Sequence, residues 1–184
     1  MADASRRAVF LDRDGTIVED PGFLHQPGKV RLLAGAGEAI HQLNQAGWLV
    51  ITVSNQSGIA RGLYGAAAYQ AVQRRLVELL AAHDARLDGA YFCPHHPAFT
   101  GPCECRKPGL LLFREAQAAL GLDLTRCCWV GDRLSDVEPA RKLGGRALLV
   151  ETGGGATYVG KARALRIPVV ADLAAAAAEI VHGA

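Results

Sequence analysis

The sequence predicts an α/β fold, a doubly wound and mostly parallel sheet, and three observations carry that prediction. Short β-rich runs alternate with helical patterns, the runs are almost continuously apolar, and polar groups follow three of them. Ala8 to Leu11 (AVFL) is the first predicted strand, Leu49 to Val53 (LVITV) the second and Cys128 to Val130 (CWV) the third. Ala147 to Val150 (ALLV) is the fourth, and Val169 with Val170 a short fifth. Strands covered by helices on both faces lack the apolar–polar alternation of half-exposed ones, and these runs lack it. The first predicted helix, Glu38 to Ala46, ends at Gly47, a natural residue just past a helix end. The next, Ala66 to about Ala85, carries Tyr69, Val72, Leu76, Leu79 and Leu80 on one helical stripe. Leu110 to Leu120 ends at Gly121. Ser135 and Glu138 have capping-box spacing and open a helix that stops before Gly144 and Gly145. An alanine-rich helix from Leu173 to Val181 closes the series. With no repeat and no linker, residues 1–184 are expected to form a single domain.

Half of the residues are apolar, enough for a sizeable core. Twenty basic and 18 acidic side chains nearly cancel, which gives no electrostatic case for a nucleic-acid or membrane partner. No apolar stretch approaches the roughly 20 residues of a membrane span. The N-terminal MADASRRAVFLD has too short an apolar run for a secretory signal. A cytoplasmic protein is therefore expected, and a monomer is the expected state. In a reducing compartment clustered cysteines favour metal binding over disulfides, and the sequon at Asn55 to Ser57 has no bearing on glycosylation.

Ligands of open α/β sheets bind beyond the carboxyl ends of the strands. After AVFL comes Asp12-Arg13-Asp14-Gly15-Thr16, after LVITV comes Ser54-Asn55-Gln56-Ser57-Gly58, and after CWV comes Gly131-Asp132-Arg133-Leu134-Ser135-Asp136. Carboxylates brought together at one sheet edge repel unless a cation sits among them, and Mg²⁺ suits oxygen ligands and a phosphate. Asp12 and Asp14 reach one ligand from different directions, so one can attack while the other moves protons. Alone, DRDGT also reads as a surface turn; beside Ser54, Lys107 and Asp132 it reads as a site.

The stretch CPHHPAFTGPCECRKPG, Cys93 to Gly109, holds three of the five cysteines. Cys93, His95, Cys103 and Cys105 form C-x-H-x7-C-x-C, a Cys₃His set suited to a closed tetrahedral Zn²⁺ site over residues 93–105. A disulfide or unrelated thiols are the alternatives. His96 reads as a loop residue, since four ligands are already supplied. Arg106 and Lys107 follow Cys105 directly, so a metal that fixes Cys105 also fixes them. Cys127 and Cys128 read as ordinary buried thiols. Gly155 to Lys161 fits G-x4-G-K, but Ala162 stands where a phosphate-binding loop needs a hydroxyl. This stretch reads as a glycine-rich loop at the rim of the site.

DRDGT, SNQSG, the lysine of CRKPG and GDRLSD resemble the four motifs of the haloacid dehalogenase superfamily of Mg²⁺-dependent phosphatases. With GFLH, SNQSGIARG, CPHHP and CxCRKP, the chain is similar to the D-glycero-D-manno-heptose-1,7-bisphosphate 7-phosphatase family. The resemblance implies a Rossmann-like haloacid dehalogenase fold with a minimal cap and a zinc-binding loop, since Val18 to Leu33 is too short for a cap domain. It implies that Asp12 takes the phosphoryl group, while Asp14 protonates the leaving oxygen and later deprotonates water. Asp12, the Asp14 carbonyl and Asp132 would hold Mg²⁺, and Ser54 and Lys107 would grip the phosphoryl oxygens. Asp136 would support Lys107 or the metal shell, or else serve only as an acidic residue at a helix start. Asp20, Gly22 and Phe23 resemble the sugar-facing segment, and read alternatively as a plain turn. Asn55, Gln56, Ser57 and Arg106 complete the expected substrate contacts. The implied reaction removes the 7-phosphate of a small phosphorylated sugar in the supply of heptose for lipopolysaccharide, with catalytic Mg²⁺ and structural Zn²⁺. Histidinol-phosphate phosphatase shares these motifs and is the rival enzyme reading; a non-catalytic, zinc-stabilised phosphate-binding module is the rival from another class.

Overall fold

The computed structural model describes residues 6–183; the beginning of the N-terminal stretch considered above as a signal lies outside them. Six strands form one sheet, all parallel, in the order β3-β2-β1-β4-β5-β6. They are β1 (Ala8–Leu11), β2 (Leu49–Asn55), β3 (Gly89–Cys93), β4 (Cys128–Gly131), β5 (Arg146–Val150) and β6 (Val169–Val170). The helices are α1 (Ala36–Gln45), α2 (Ser57–Ala60), α3 (Ala66–Ala81), α4 (Pro97–Thr100), α5 (Leu111–Leu120), α6 (Leu134–Leu143), α7 (Val159–Ala164) and α8 (Leu173–His182). No helix among the described residues is long and apolar enough to cross a membrane.

The continuous apolar strands have a direct cause: successive side chains enter two different cores. Val9 and Leu11 join α1, α3 and α8 on one face, through Ile40, Leu43, Leu76 and Ile180. Ala8 and Phe10 join α5 and α6 on the other, through Phe113 and Ala140. There the Phe10 ring lies 4.9 Å from Trp129 and 5.1 Å from Phe113, within the range of favourable aromatic pairs. Strand order reverses around β1, which pairs with β2 on one side and β4 on the other. The carboxyl ends of these three strands therefore border one crevice.

Three local readings of the sequence need correction. The sheet has a sixth strand, β3, at its edge and only partly buried, so the short run GAYFC lacks the apolar continuity that marks the central strands. The helix expected to reach about Ala85 stops at Ala81: Asp84 turns out at φ 53°, and the Ala85 N–H bonds back to the Leu80 carbonyl at 3.1 Å. The cap of α6 is not Ser135, which lies inside the helix; Asp136 Oδ2 accepts from the Arg133 N–H at 2.9 Å. In the glycine-rich loop, residues 155–158 form a 3₁₀ turn leading into α7, and Lys161 is exposed. The segment between β1 and α1 holds one 3₁₀ turn, Pro27–Lys29, and no further domain.

Candidate active site

Asp12, the first residue past β1, is pinned to β4 by its N–H, which donates to the Val130 carbonyl at 3.0 Å. Its Oδ1 accepts from Lys107 Nζ at 2.7 Å, and the same ammonium reaches Asp136 Oδ1 at 2.8 Å and the Val53 carbonyl. All three ammonium protons are thus directed, and Lys107 is buried. Asp136 does both things weighed for it above: it supports Lys107 and caps α6.

Lys107 is brought there by the sheet edge. In register, Asn55 at the end of β2 stands beside Cys93 at the end of β3. Asn55 Oδ1 accepts from the Lys107 N–H at 3.0 Å, and its Nδ2 donates to the Lys107 carbonyl at 3.2 Å. The Gln56 N–H donates to the Cys93 carbonyl at 2.8 Å, and the Ala60 N–H to that of Pro94 at 3.1 Å. The cysteine loop is therefore tied to the end of β2, where Ser54 stands, and to the segment from Gln56 to Ala60.

Asp12, Asp132 and Asp136 offer oxygens that all lie within 4.8 Å of one another, and all three residues are buried. Burial and the neighbouring Asp136, Asp132 and Asp14 carboxylates push the Asp12 pKa up to about 8 against the pull of Lys107. Burial and Asp136 raise Asp132 to about 6, although the Gly154 N–H, Arg133 and Lys107 oppose the rise. Burial works against the Lys107 charge, yet Asp12 and Asp136 outweigh it and lift its pKa above the ordinary lysine range. Asp132 Oδ2 accepts from the Gly154 N–H at 2.8 Å, while its buried Oδ1 has no partner among the described residues. A hard divalent cation would answer both the repulsion and the unpartnered oxygen. The Asp132 carboxylate fits only because two glycines meet beneath it. A Cβ on Gly15 or Gly153 would come within 2.6 Å or 2.5 Å of Asp132 Oδ2, and both have positive φ.

Asp14 is held by its neighbour Arg13 through two bonds of 2.9 Å, and by Gln56 Nε2 at 3.0 Å. Gln56 also approaches Ser54 Oγ at 3.3 Å and accepts from the Tyr64 hydroxyl at 2.7 Å. Asp12, Asp14, Asn55, Gln56, Ser57, Arg106 and Lys107 all line one cavity of about 520 Å³, with Asp20, Gly22 and Phe23 at its mouth. Ser54 lies behind this wall, buried. Asp20 Oδ1 accepts from the Gly22 N–H at 2.9 Å, a local turn, and the Asp20 carboxylate approaches Arg133 at 3.5 Å. Phe23 is exposed rather than packed, with the Arg61 guanidinium 5.7 Å from its ring centre. Arg61, Tyr64, His96 and Arg133 also line the cavity, and none of the four was expected there from the sequence. Arg61 and Arg133 sit inside SNQSGIARG and GDRLSD but carried no assigned role, and Tyr64 lies two residues past the first motif; the chain after β2 and after β4 brings them to the cavity. A more apolar cavity of about 480 Å³, between α6 and the chain near Leu165 to Pro168, lies away from the strand-end carboxylates.

Cys93, His95, Cys103 and Cys105 offer four donor atoms within 4.8 Å of one another, and all three cysteines are free thiols. The Cys103 sulfur stands 3.7 Å from that of Cys93 and 3.6 Å from that of Cys105. A tetrahedron with Zn–S of about 2.3 Å has edges of about 3.8 Å. The Cys93–Cys105 pair is closer, at 2.8 Å, and His95 Nδ1 lies 3.3 Å from Cys105 Sγ. Burial pushes the Cys93 and Cys105 thiols up, so a cation among them would be needed to draw off their protons. His96 stands apart from the quartet: its Nδ1 accepts from the Ala98 N–H at 3.2 Å and caps α4.

Comparison with known proteins agrees with this geometry. Residues 104–176 match the family model described as HAD-hydrolase-like. The chain is 38% identical over 165 residues to the D-glycero-beta-D-manno-heptose-1,7-bisphosphate 7-phosphatase of Haemophilus ducreyi, covering 86% of this chain and 91% of that one. It is 38% identical over 152 residues to the enzyme of the same name from Escherichia coli K12, covering 79% and 80%. The crystal structure of D,D-heptose 1,7-bisphosphate phosphatase from B. bronchiseptica, complexed with magnesium and phosphate, superposes with a TM-score of 0.88 at 34% identity, covering 97% of this chain and 99% of that one. From strand-end carboxylates, a Cys₃His loop and identity spread over most of both chains, it follows that this protein belongs to the D-glycero-beta-D-manno-heptose-1,7-bisphosphate 7-phosphatase family of HAD-like hydrolases.

Proposed function

We propose that the protein is a Mg²⁺-dependent phosphatase that removes the 7-phosphate of D-glycero-D-manno-heptose 1,7-bisphosphate through a phosphoryl-aspartate at Asp12. One observation carries the reading: Asp12, at the sheet's switch point, shares a buried ammonium with Asp136 and faces a cavity that also holds Asp14. An Asp12 oxygen attacks phosphorus and forms the new P–O bond. The ester P–O bond breaks, its electron pair stays on the sugar oxygen, and that oxygen takes a proton from Asp14. A water oxygen then bonds to phosphorus while Asp14 takes its proton, the P–O bond to Asp12 breaks, Asp12 is freed as a carboxylate and inorganic phosphate leaves.

Lys107 and Ser54 are assigned to the phosphoryl oxygens. Lys107 orients Asp12 beforehand, so no reorganisation is needed when negative charge arrives. Asp12, Asp132 and the Asp14 carbonyl would hold Mg²⁺, which offsets the repulsion between the attacking carboxylate and the phosphate. The unpartnered Asp132 Oδ1 supports this assignment. Cys93, His95, Cys103 and Cys105 would hold Zn²⁺ in a structural role, fixing the loop that presents Arg106 and Lys107.

The cavity mouth favours a substrate with a second phosphate over histidinol phosphate. Arg61, Arg106 and Arg133 surround it, and Asp20 is the acid opposed to them there. Such a rim attracts an anion and repels the ammonium of histidinol phosphate. The family resemblance supports placing the reaction in heptose supply for lipopolysaccharide; a cytoplasmic location and a monomeric state complete the proposal. Side-by-side kcat/KM values with Mg²⁺ test the reading: at least about a hundredfold preference for the heptose bisphosphate is expected. Equal or reversed preference would refute the substrate assignment, and no Mg²⁺-dependent release from any phosphate ester would leave the binding-module reading.

A further inference from the structure

Arg13 has no part in the chemistry above, yet it is fully buried, at 0% exposure. Full burial of a charge demands a partner, and the guanidinium fork closes on the two oxygens of Asp14 at 2.9 Å each. Its other side lies over the Tyr69 ring, 5.2 Å from the centre. Gln56 completes the grip on Asp14 Oδ2, and the Tyr64 hydroxyl fixes which way the Gln56 amide faces. Tyr64 is itself wedged, stacked on His25 at 5.4 Å on one side and against Gly58 on the other, where a Cβ would approach its ring to 2.2 Å.

A carboxylate has about four lone-pair positions. Arg13 Nε uses one on Oδ1; Arg13 Nη2 and Gln56 Nε2 use two on Oδ2. One position, on Oδ1, is left for the proton that the reaction moves. We infer that Arg13, Gln56 and Tyr64 form a positioning bracket for Asp14 that presents Oδ1 to the leaving oxygen and to the attacking water. None of the three is a catalytic residue in this role, since they act through Asp14. The inference rests on the acid–base role given to Asp14 under the proposed function.

The test compares two reactions of the intact protein with Mg²⁺. Turnover of an alkyl phosphate needs a proton on its leaving oxygen. Single-turnover release of nitrophenolate from para-nitrophenyl phosphate, with enzyme in excess, does not. Arg13→Lys keeps the charge and loses the fork, and should lower alkyl phosphate turnover about 100-fold; Tyr64→Phe loses only the hydroxyl, and should lower it about 10-fold. Both should leave nitrophenolate release within about threefold of the parent protein. Equal losses on both reactions, or no loss on either, would overturn the bracket. If Arg13→Lys does not fold, Tyr64→Phe decides alone, because that ring is only partly buried. If instead Asp12→Asn retains nitrophenolate release, the proposed function has failed, and that result is separate from these.

Discussion

The Asn55 side chain holds the Lys107 backbone from both directions, accepting from its N–H at 3.0 Å and donating to its carbonyl at 3.2 Å. A residue expected to touch substrate thus spends its polar atoms on presenting the lysine between Asp12 and Asp136. Asn55→Ala should lower stability by about 2 kcal/mol, because two buried backbone groups lose partners. It should also lower kcat/KM by roughly 10- to 100-fold through misplacement of Lys107. Metal content should not change. Chemical denaturation, kinetics and metal analysis on one preparation check all three, and unchanged kinetics would show that the clasp does not position the lysine.

Cys105→Ser should lower zinc content and kcat/KM together. Cys105 is buried within the Cys₃His quartet and lies two residues before Lys107. The fall in kcat/KM should be about 10-fold or more at saturating Mg²⁺. Zinc lost with kinetics intact would refute the coupling between the metal loop and the lysine.

Gly15→Ala should abolish most Mg²⁺-dependent activity, because the added Cβ would meet Asp132 Oδ2 at 2.6 Å. Gly47→Ala is the control: it also has positive φ, but no atom lies within 4 Å of the added carbon. It should lower stability by about 1 kcal/mol and leave turnover unchanged. Similar kinetic losses in both variants would mean that backbone strain, not the approach to Asp132, is responsible.

The pH dependence of stability should run opposite to that of an ordinary salt-bridged carboxylate. Asp132 is raised from 3.8 to about 6, so between these values the folded state keeps a proton that the unfolded state has lost. Stability of the metal-free protein therefore falls as pH rises through that window, by roughly 3 kcal/mol for this group. Mg²⁺ binds the ionised form, so it should raise the thermal midpoint more at about pH 8 than at about pH 5. Equal shifts at both pH values would contradict the assignment of Asp132 as a metal ligand.

Much of the fold was legible because its signals are local. Both faces of β1 and β4 are covered, so their apolar continuity is written in consecutive residues. The carboxylates were legible because strand ends in such sheets converge, and the lysine because CRKPG resembles a family motif. The Cys₃His set was legible because its members crowd into 13 residues, from Cys93 to Cys105. Strand β3 was not legible, since its half-exposed pattern resembles a loop and its pairing partner, β2, is distant in sequence. Arg13 gave no warning either: a charged residue between two aspartates reads as solvated until the fold buries it against Tyr69. Gly153 and Gly154 carry no motif, and their contact with Asp132 arises only from the path of the chain after β5.

The central claim is a covalent phosphoryl group on Asp12, and acid-quenched protein from a reaction with heptose bisphosphate and Mg²⁺ tests it most directly. Peptide mass analysis should find the phosphoryl mass on the peptide containing Asp12, more abundant in Asp14→Asn because its breakdown is slowed. Asp12→Asn should carry no label and lose at least about a thousandfold in kcat. Label on another residue, or near-normal turnover by Asp12→Asn, would contradict the account.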